Sequence, residues 1–232
     1  MLPRALVPLC VAIATTGVVA GIAHVPLLDA YAGTLIGLVF LVMTYVMVLR
    51  HDASVIRRHG LALGGLLEPT PLEPARLVRD ALGALAWALG FAVIVFPAFW
   101  LGWLKWWNPE SGFAAADFAV VRDDALPQLL AIALPEEAFY RGYLQSALDD
   151  VWVRRLKVFG AELGPSILVT SALFALGHVA TEFHPNRLGV FFPSLLFGWL
   201  RARTGGIGAP VVFHALCNLF ADYLAKSYGF GA

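Results

Sequence analysis

Leu134-Pro135-Glu136-Glu137-Ala138-Phe139-Tyr140-Arg141-Gly142 (LPEEAFYRG) lies inside an apolar run, preceded by ALPQLLAIA (125–133) and followed by YLQSAL (143–148). The run is long enough to cross a bilayer as a helix. It nevertheless carries two adjacent carboxylates and an arginine. Whether such a segment belongs in lipid depends on what surrounds it.

The surroundings answer for lipid. Soluble domains carry ~25% charged residues, whereas this chain of 232 residues has 14% charged and 59% hydrophobic residues and a mean hydropathy of +0.76. The apolar residues fall into blocks of span length rather than into one core. They predict an all-α, polytopic transmembrane helix bundle of about seven (six to eight) spanning helices, near 5–25, 30–49, 81–104, 126–147, 165–181, 188–203 and 207–225. One integral membrane domain is expected, with N-terminal spans over 1–124 and a helical core over 125–232. The segment 50–80, with Gly60, Gly64, Gly65, Pro69, Pro71 and Pro74, is expected to be a cytoplasmic connector holding at most a short interfacial helix. The first block has the basic and apolar regions of a signal peptide, but its run is long for one and a retained span is the expectation. Zero net charge argues against nucleic acid as a partner. Cys10 and Cys217 both lie in apolar blocks, which disfavours a disulfide framework.

Loop charge sets orientation. Segment 50–80 carries five arginines, 149–164 carries Arg154, Arg155 and Lys157, and 201–206 carries Arg201 and Arg203. The alternate loops are poorer in basic residues: 108–124 has four acids against Arg122, and 182–187 has Glu182 and Arg187. Seven spans then place the N-terminus inside and the C-terminus outside. Trp100, Trp103, Trp106 and Trp107 form an interfacial aromatic belt at the end of the third span.

Ionised side chains at the bilayer centre cost ~2.5–3.5 kcal/mol on insertion scales, so three within six residues need a reason. Glu137 and Arg141 are four apart and share a helix face, where they can pair. Glu136 is rotated ~100° from Glu137 and has no basic partner at helical spacing. Two other blocks offer partners: Phe174 and His178 in FALGH, and His214 and Asn218 in HALCN. A carboxylate beside an imidazole can activate water for attack on a carbonyl. An amide and a second imidazole can donate to the oxyanion that forms. Pro135 removes a backbone donor and opens the helix beside Glu136. Each of these residues also has a plain structural role open to it. Glu137–Arg141 is equally a buried pair fixing register, His178 a helix-end group, Asn218 an interhelical clamp, and His178-x-x-x-Glu182 a solvated loop rather than a metal site.

Glu136-Glu137-x-x-x-Arg141, Phe174-x-x-x-His178 and His214-x-x-x-Asn218, in this order, resemble the three motifs of the CPBP family, which includes type II CAAX prenyl endopeptidases and Abi bacteriocin-processing and immunity proteins. TGGIGAPVVFHALCN (204–218) is similar to the family's third motif with its lead-in, and the resemblance covers about 125–222. It implies an intramembrane endopeptidase of glutamic type. Glu136 would be the general base on water, and His178 would hold that water. His214 and Asn218 would stabilise the oxyanion, with Glu137 and Arg141 organising the site. The family has been described as metal-dependent and as glutamate-dependent. HExxH is missing here, so no metal or other cofactor is expected, the alternative being zinc on Glu136, His178 and His214. The expected partners are the lipid bilayer and a membrane-associated peptide or protein substrate: a CAAX peptide, a bacteriocin leader or a C-terminal sorting tail. The expected location is the inner (cytoplasmic) membrane of a prokaryote. A non-catalytic Abi-type membrane scaffold or immunity protein is the alternative function. A proton-coupled carrier is disfavoured because the halves show no inverted repeat.

Overall fold

A computed structural model describes residues 2–153 and 156–230. Helix α1 spans Leu2–Ala23. A 3-10 turn, Pro26–Tyr31, leads into α2, Ala32–Thr44, which runs on as a π-turn over Tyr45–Leu49. Helix α3, Ala53–Arg58, is short; the Asp52 carboxylate caps it by accepting from the Ser54 and Val55 amides. Helix α4 spans Pro74–Trp107. Helix α5 is continuous over 118–149, and α6 follows at Pro165–Thr181. Helices α7, Phe191–Thr204, and α8, Gly208–Ser227, complete the bundle.

α1, α4, α8 and the unit Pro26–Leu49 are long and apolar enough to cross a membrane. Many of their side chains point outward and are apolar, as with Val93 and Ile94 at 76% and 73% exposed. Lipid solvates such a surface, so it need not be buried. The protein is an integral membrane helix bundle.

Several boundaries differ from those expected. The third span is longer than 81–104 because Pro74 sits at the first helical turn, where its missing N–H costs nothing. Residues 74–80 therefore leave the connector and join α4. Its far end stops at Asn108, in the left-handed conformation. The fourth span starts at 118 rather than 126, with Asp117 accepting from the Ala119 amide. The sixth begins at Phe191 rather than 188, after a 3-10 turn over Pro185–Val190. A hairpin was not expected, yet β1, Leu156–Val158, pairs antiparallel with β2, Ala161–Leu163. Phe159 and Gly160 both take positive φ at its tip, as a tight hairpin turn requires.

Helix α5 has an unusual backbone. Gln128–Ala133 and Ala138–Gln145 are π-helical, and only Leu134–Glu137 between them is α-helical. Pro135 cannot donate to the carbonyl one turn earlier, that of Ala131. Gly37 of α2 packs on that carbonyl so closely that a Cβ would stand 2.8 Å from the oxygen. The π segments rotate the carboxylates relative to a regular helix, a distortion found often at functional sites.

Two apolar clusters hold the bundle. One joins α1, α2 and α5 through Phe40, Phe139, Tyr140 and Leu144, and reaches Phe174 of α6. The other joins α4, α7 and α8 through Ala88, Ala92, Phe197 and Phe213. The site lies between them.

Candidate active site

Glu137 and Arg141 lie on one face of α5, and both side chains are fully buried. Arg141 Nη1 donates to Glu137 Oε1 at 2.9 Å. Arg141 Nη2 donates to the Ser194 hydroxyl at 2.5 Å and to the Ser194 carbonyl at 3.1 Å. The guanidinium carbon stands 4.6 Å from the Phe174 ring centre and 5.1 Å from that of Phe197, a cation held over two aromatic faces. A planar fork with several donors suits this position better than an ammonium.

The same Glu137 oxygen accepts from His214 Nδ1 at 2.8 Å. A carboxylate acceptor there assigns the proton to Nδ1 and turns Nε2 toward Glu136. His214 Nε2 stands 3.9 Å from Glu136 Oε2. The ring is also stacked on Phe197, with centres 4.7 Å apart. Glu137 of α5 and Phe197 of α7 thus fix the imidazole of α8. Among the described residues, Glu136 Oε2 is a buried oxygen with no hydrogen-bond partner.

His178, in the last turn of α6, has Nδ1 3.0 Å from the Phe174 carbonyl. Donation from Nδ1 leaves Nε2 as the ring's accepting nitrogen. Asn218 Nδ2 donates to Gln128 Oε1 at 2.9 Å. His178, His214 and Asn218 line one cavity of about 870 Å³. Glu136 does not line it; it stands beside His214 with its side chain 14% exposed. A larger cavity, about 1290 Å³, opens between α4, α7 and the hairpin, but no ionisable side chain lines it. The candidate site residues His178, His214 and Asn218 line only the smaller one.

The structure brings together Glu136, Glu137, Arg141 and His214 by direct contact, and His178 and Asn218 by the shared cavity. Among the described residues no three His, Cys, Asp or Glu side chains converge as a metal set. His214 Nδ1 is taken by Glu137, its Nε2 faces Glu136, and Glu182 pairs with Arg187. Asp222 pairs with Lys226 at 2.6 Å, and His24 stacks on Phe183 at the outer end of α1.

Sequence reasoning missed Gln128, Ser194 and Phe197. Gln128 did leave a signal, as a polar residue two turns before Glu136 in an apolar run. Ser194 left little, because a small hydroxyl residue is common where membrane helices pack.

Comparison with curated proteins and with solved structures returned no match. Comparison with family models returned one, and it begins just before the apolar run of α5 and ends within α8, enclosing Glu136, Glu137, Arg141, His178, His214 and Asn218. Over residues 124–220 the chain carries an Rce1-like domain, described as type II CAAX prenyl endopeptidase Rce1-like, of the CPBP protease family.

Proposed function

We propose that the protein is a glutamic-type intramembrane endopeptidase that hydrolyses a peptide bond in a membrane-associated substrate through Glu136. The observation that carries this reading is a fixed imidazole beside a carboxylate whose buried Oε2 has no hydrogen-bond partner among the described residues. Glu137 holds His214 by Nδ1, and His214 Nε2 faces Glu136 Oε2 at 3.9 Å. In this mechanism Glu136 takes a proton from water, and His178 Nε2 accepts a second hydrogen bond from the same water. The hydroxide adds to the scissile carbonyl. His214 Nε2–H and the remaining amide hydrogen of Asn218 donate to the oxyanion. Donation from Nε2 requires His214 to be doubly protonated. Two carboxylates, Arg141 and the imidazolium then sum to zero charge, an arrangement that suits a buried site. Glu136 returns the proton to the leaving amine as the tetrahedral intermediate collapses. Arg141 and Ser194 touch no reacting atom; they position Glu137 and, through it, His214.

The mechanism needs no metal. Purified full-length protein, stripped with a membrane-permeant chelator and shown metal-free by elemental analysis, is expected to keep cleaving a membrane-anchored peptide. Cleavage abolished by the chelator and restored by stoichiometric zinc would contradict the glutamic mechanism.

A further inference from the structure

The side of the membrane from which the cavity is reached follows from where its lining residues lie. Three arginine-bearing segments meet at one end of the bundle. Arg201 Nη2 donates to the Arg58 carbonyl at 3.1 Å, the Ile207 amide donates to the Gly60 carbonyl at 3.0 Å, and Arg58 stands 3.7 Å from Asp150. The connector, the α5–α6 segment and the α7–α8 turn therefore share one face. That face carries Arg50, Arg57, Arg58, Arg79, Arg201 and Arg203, the signature of the cytoplasmic side.

The opposite end is built from other segments. The Ala114 amide donates to the Ser227 carbonyl at 2.8 Å, Trp100 Nε1 donates to the Tyr228 hydroxyl at 3.2 Å, and His24 Nε2 meets the Ala180 carbonyl at 2.8 Å. Here the basic residues are fewer: Lys105, Arg122, Arg187 and Lys226. The rim of the 870 Å³ cavity lies at this end, formed by Glu182, His184 and Arg187 of the α6–α7 loop and by Trp103, Trp106 and Trp107 of α4. None of its lining residues comes from 50–80, 149–164 or 201–206.

We propose that the cavity opens to the non-cytoplasmic face, and that its substrate is a translocated or secreted polypeptide presenting an apolar, membrane-anchored segment from that side, not a cytoplasmic tail. The substrate half of this proposal rests on the endopeptidase reading; the orientation half does not. An indole rim over a floor of imidazoles and an amide suits such a segment, apolar along its length and polar only at the bond to be cut.

Cysteine accessibility in intact cells tests it. Cys10→Ser and Cys217→Ala remove both free thiols, the second because Cys217, though buried, lines the cavity. His184→Cys at the rim, Glu110→Cys in the 108–117 segment and Thr70→Cys in the connector are then made singly in the full chain. With a charged, membrane-impermeant maleimide, His184→Cys and Glu110→Cys are expected to label before permeabilisation and Thr70→Cys only after it. The reverse order, or equal labelling of all three in intact cells, overturns the proposal. Glu110 lies away from the cavity, so its labelling decides the orientation even if His184→Cys does not accumulate. Loss of the catalytic reading would leave this labelling pattern untouched, so the two failures are distinguishable.

Discussion

Arg141 shows how one residue serves both fold and chemistry. Its side chain is fully buried: Nη1 donates to Glu137, Nη2 to both oxygens of Ser194, two aromatic faces flank the guanidinium, and among the described residues Nε has no hydrogen-bond partner. Removing one partner of a buried pair costs ~3–5 kcal/mol, because the other charge stays buried alone. Glu137→Ala and Arg141→Ala are each expected to lower the melting temperature in detergent and to abolish cleavage. Arg141→Lys keeps the charge but loses the fork, and is expected to stay folded while cleaving less. Unchanged melting in both alanine variants would show that the pair is not structural. The Glu137–Arg141 spacing was visible in the sequence because four residues bring side chains together on any helix. The hydrogen bond from His214 to Glu137 was not, because 77 positions separate the two residues and only the packing of α8 on α5 joins them.

Among the elements, α5 and the connector carry the most information. Gly142, directly after Arg141, is where Leu61 of the connector presses on α5: a Cβ there would stand 2.6 Å from Leu61 Cδ2. Leu61 is fully buried and cannot turn aside. Gly142→Ala is expected to destabilise by ~1–3 kcal/mol, as overpacking does, and a thermal melt matching the parent would contradict the contact. Within the connector, Glu68 is held between Arg57 and Arg76, each at 2.6 Å. Its carboxyl lies below the usual glutamate range, chiefly through the hydrogen bond from Arg76. A depressed carboxyl stabilises the fold above the unfolded value, about pH 4.3, and that contribution is lost as pH falls through the folded value. The melting difference between the parent and Glu68→Gln is therefore expected to be full near neutrality and to shrink in acid. A pH-independent difference would contradict the ion-pair account. The element types along α1, α2, α4 and α8 were legible from length and apolarity. The π segments of α5 were not, since Pro135 announces a missing donor but not the register the chain adopts around it. The hairpin at 156–163 was hidden in a segment notable for its charge.

At the scale of the whole molecule, the bundle places a polar site between two apolar clusters and holds it with buried hydrogen bonds from three helices. Lipid-facing surfaces need only be apolar, which is why composition alone indicated a membrane bundle. The site needs specific partners from distant positions, which is why its motifs named Glu136, His178, His214 and Asn218 while the contacts of Gln128 and Ser194 emerged from the packing. The central claim is that Glu136 activates water. Glu136→Gln keeps the shape of the side chain and removes its basic oxygen, and the Glu137–Arg141–His214 frame does not depend on it. Cleavage of a membrane-anchored peptide by the purified variant is the most direct measurement. The account predicts a fall of ~10²-fold or more, as for loss of a general base, with melting behaviour unchanged. Cleavage near the parent rate would contradict it.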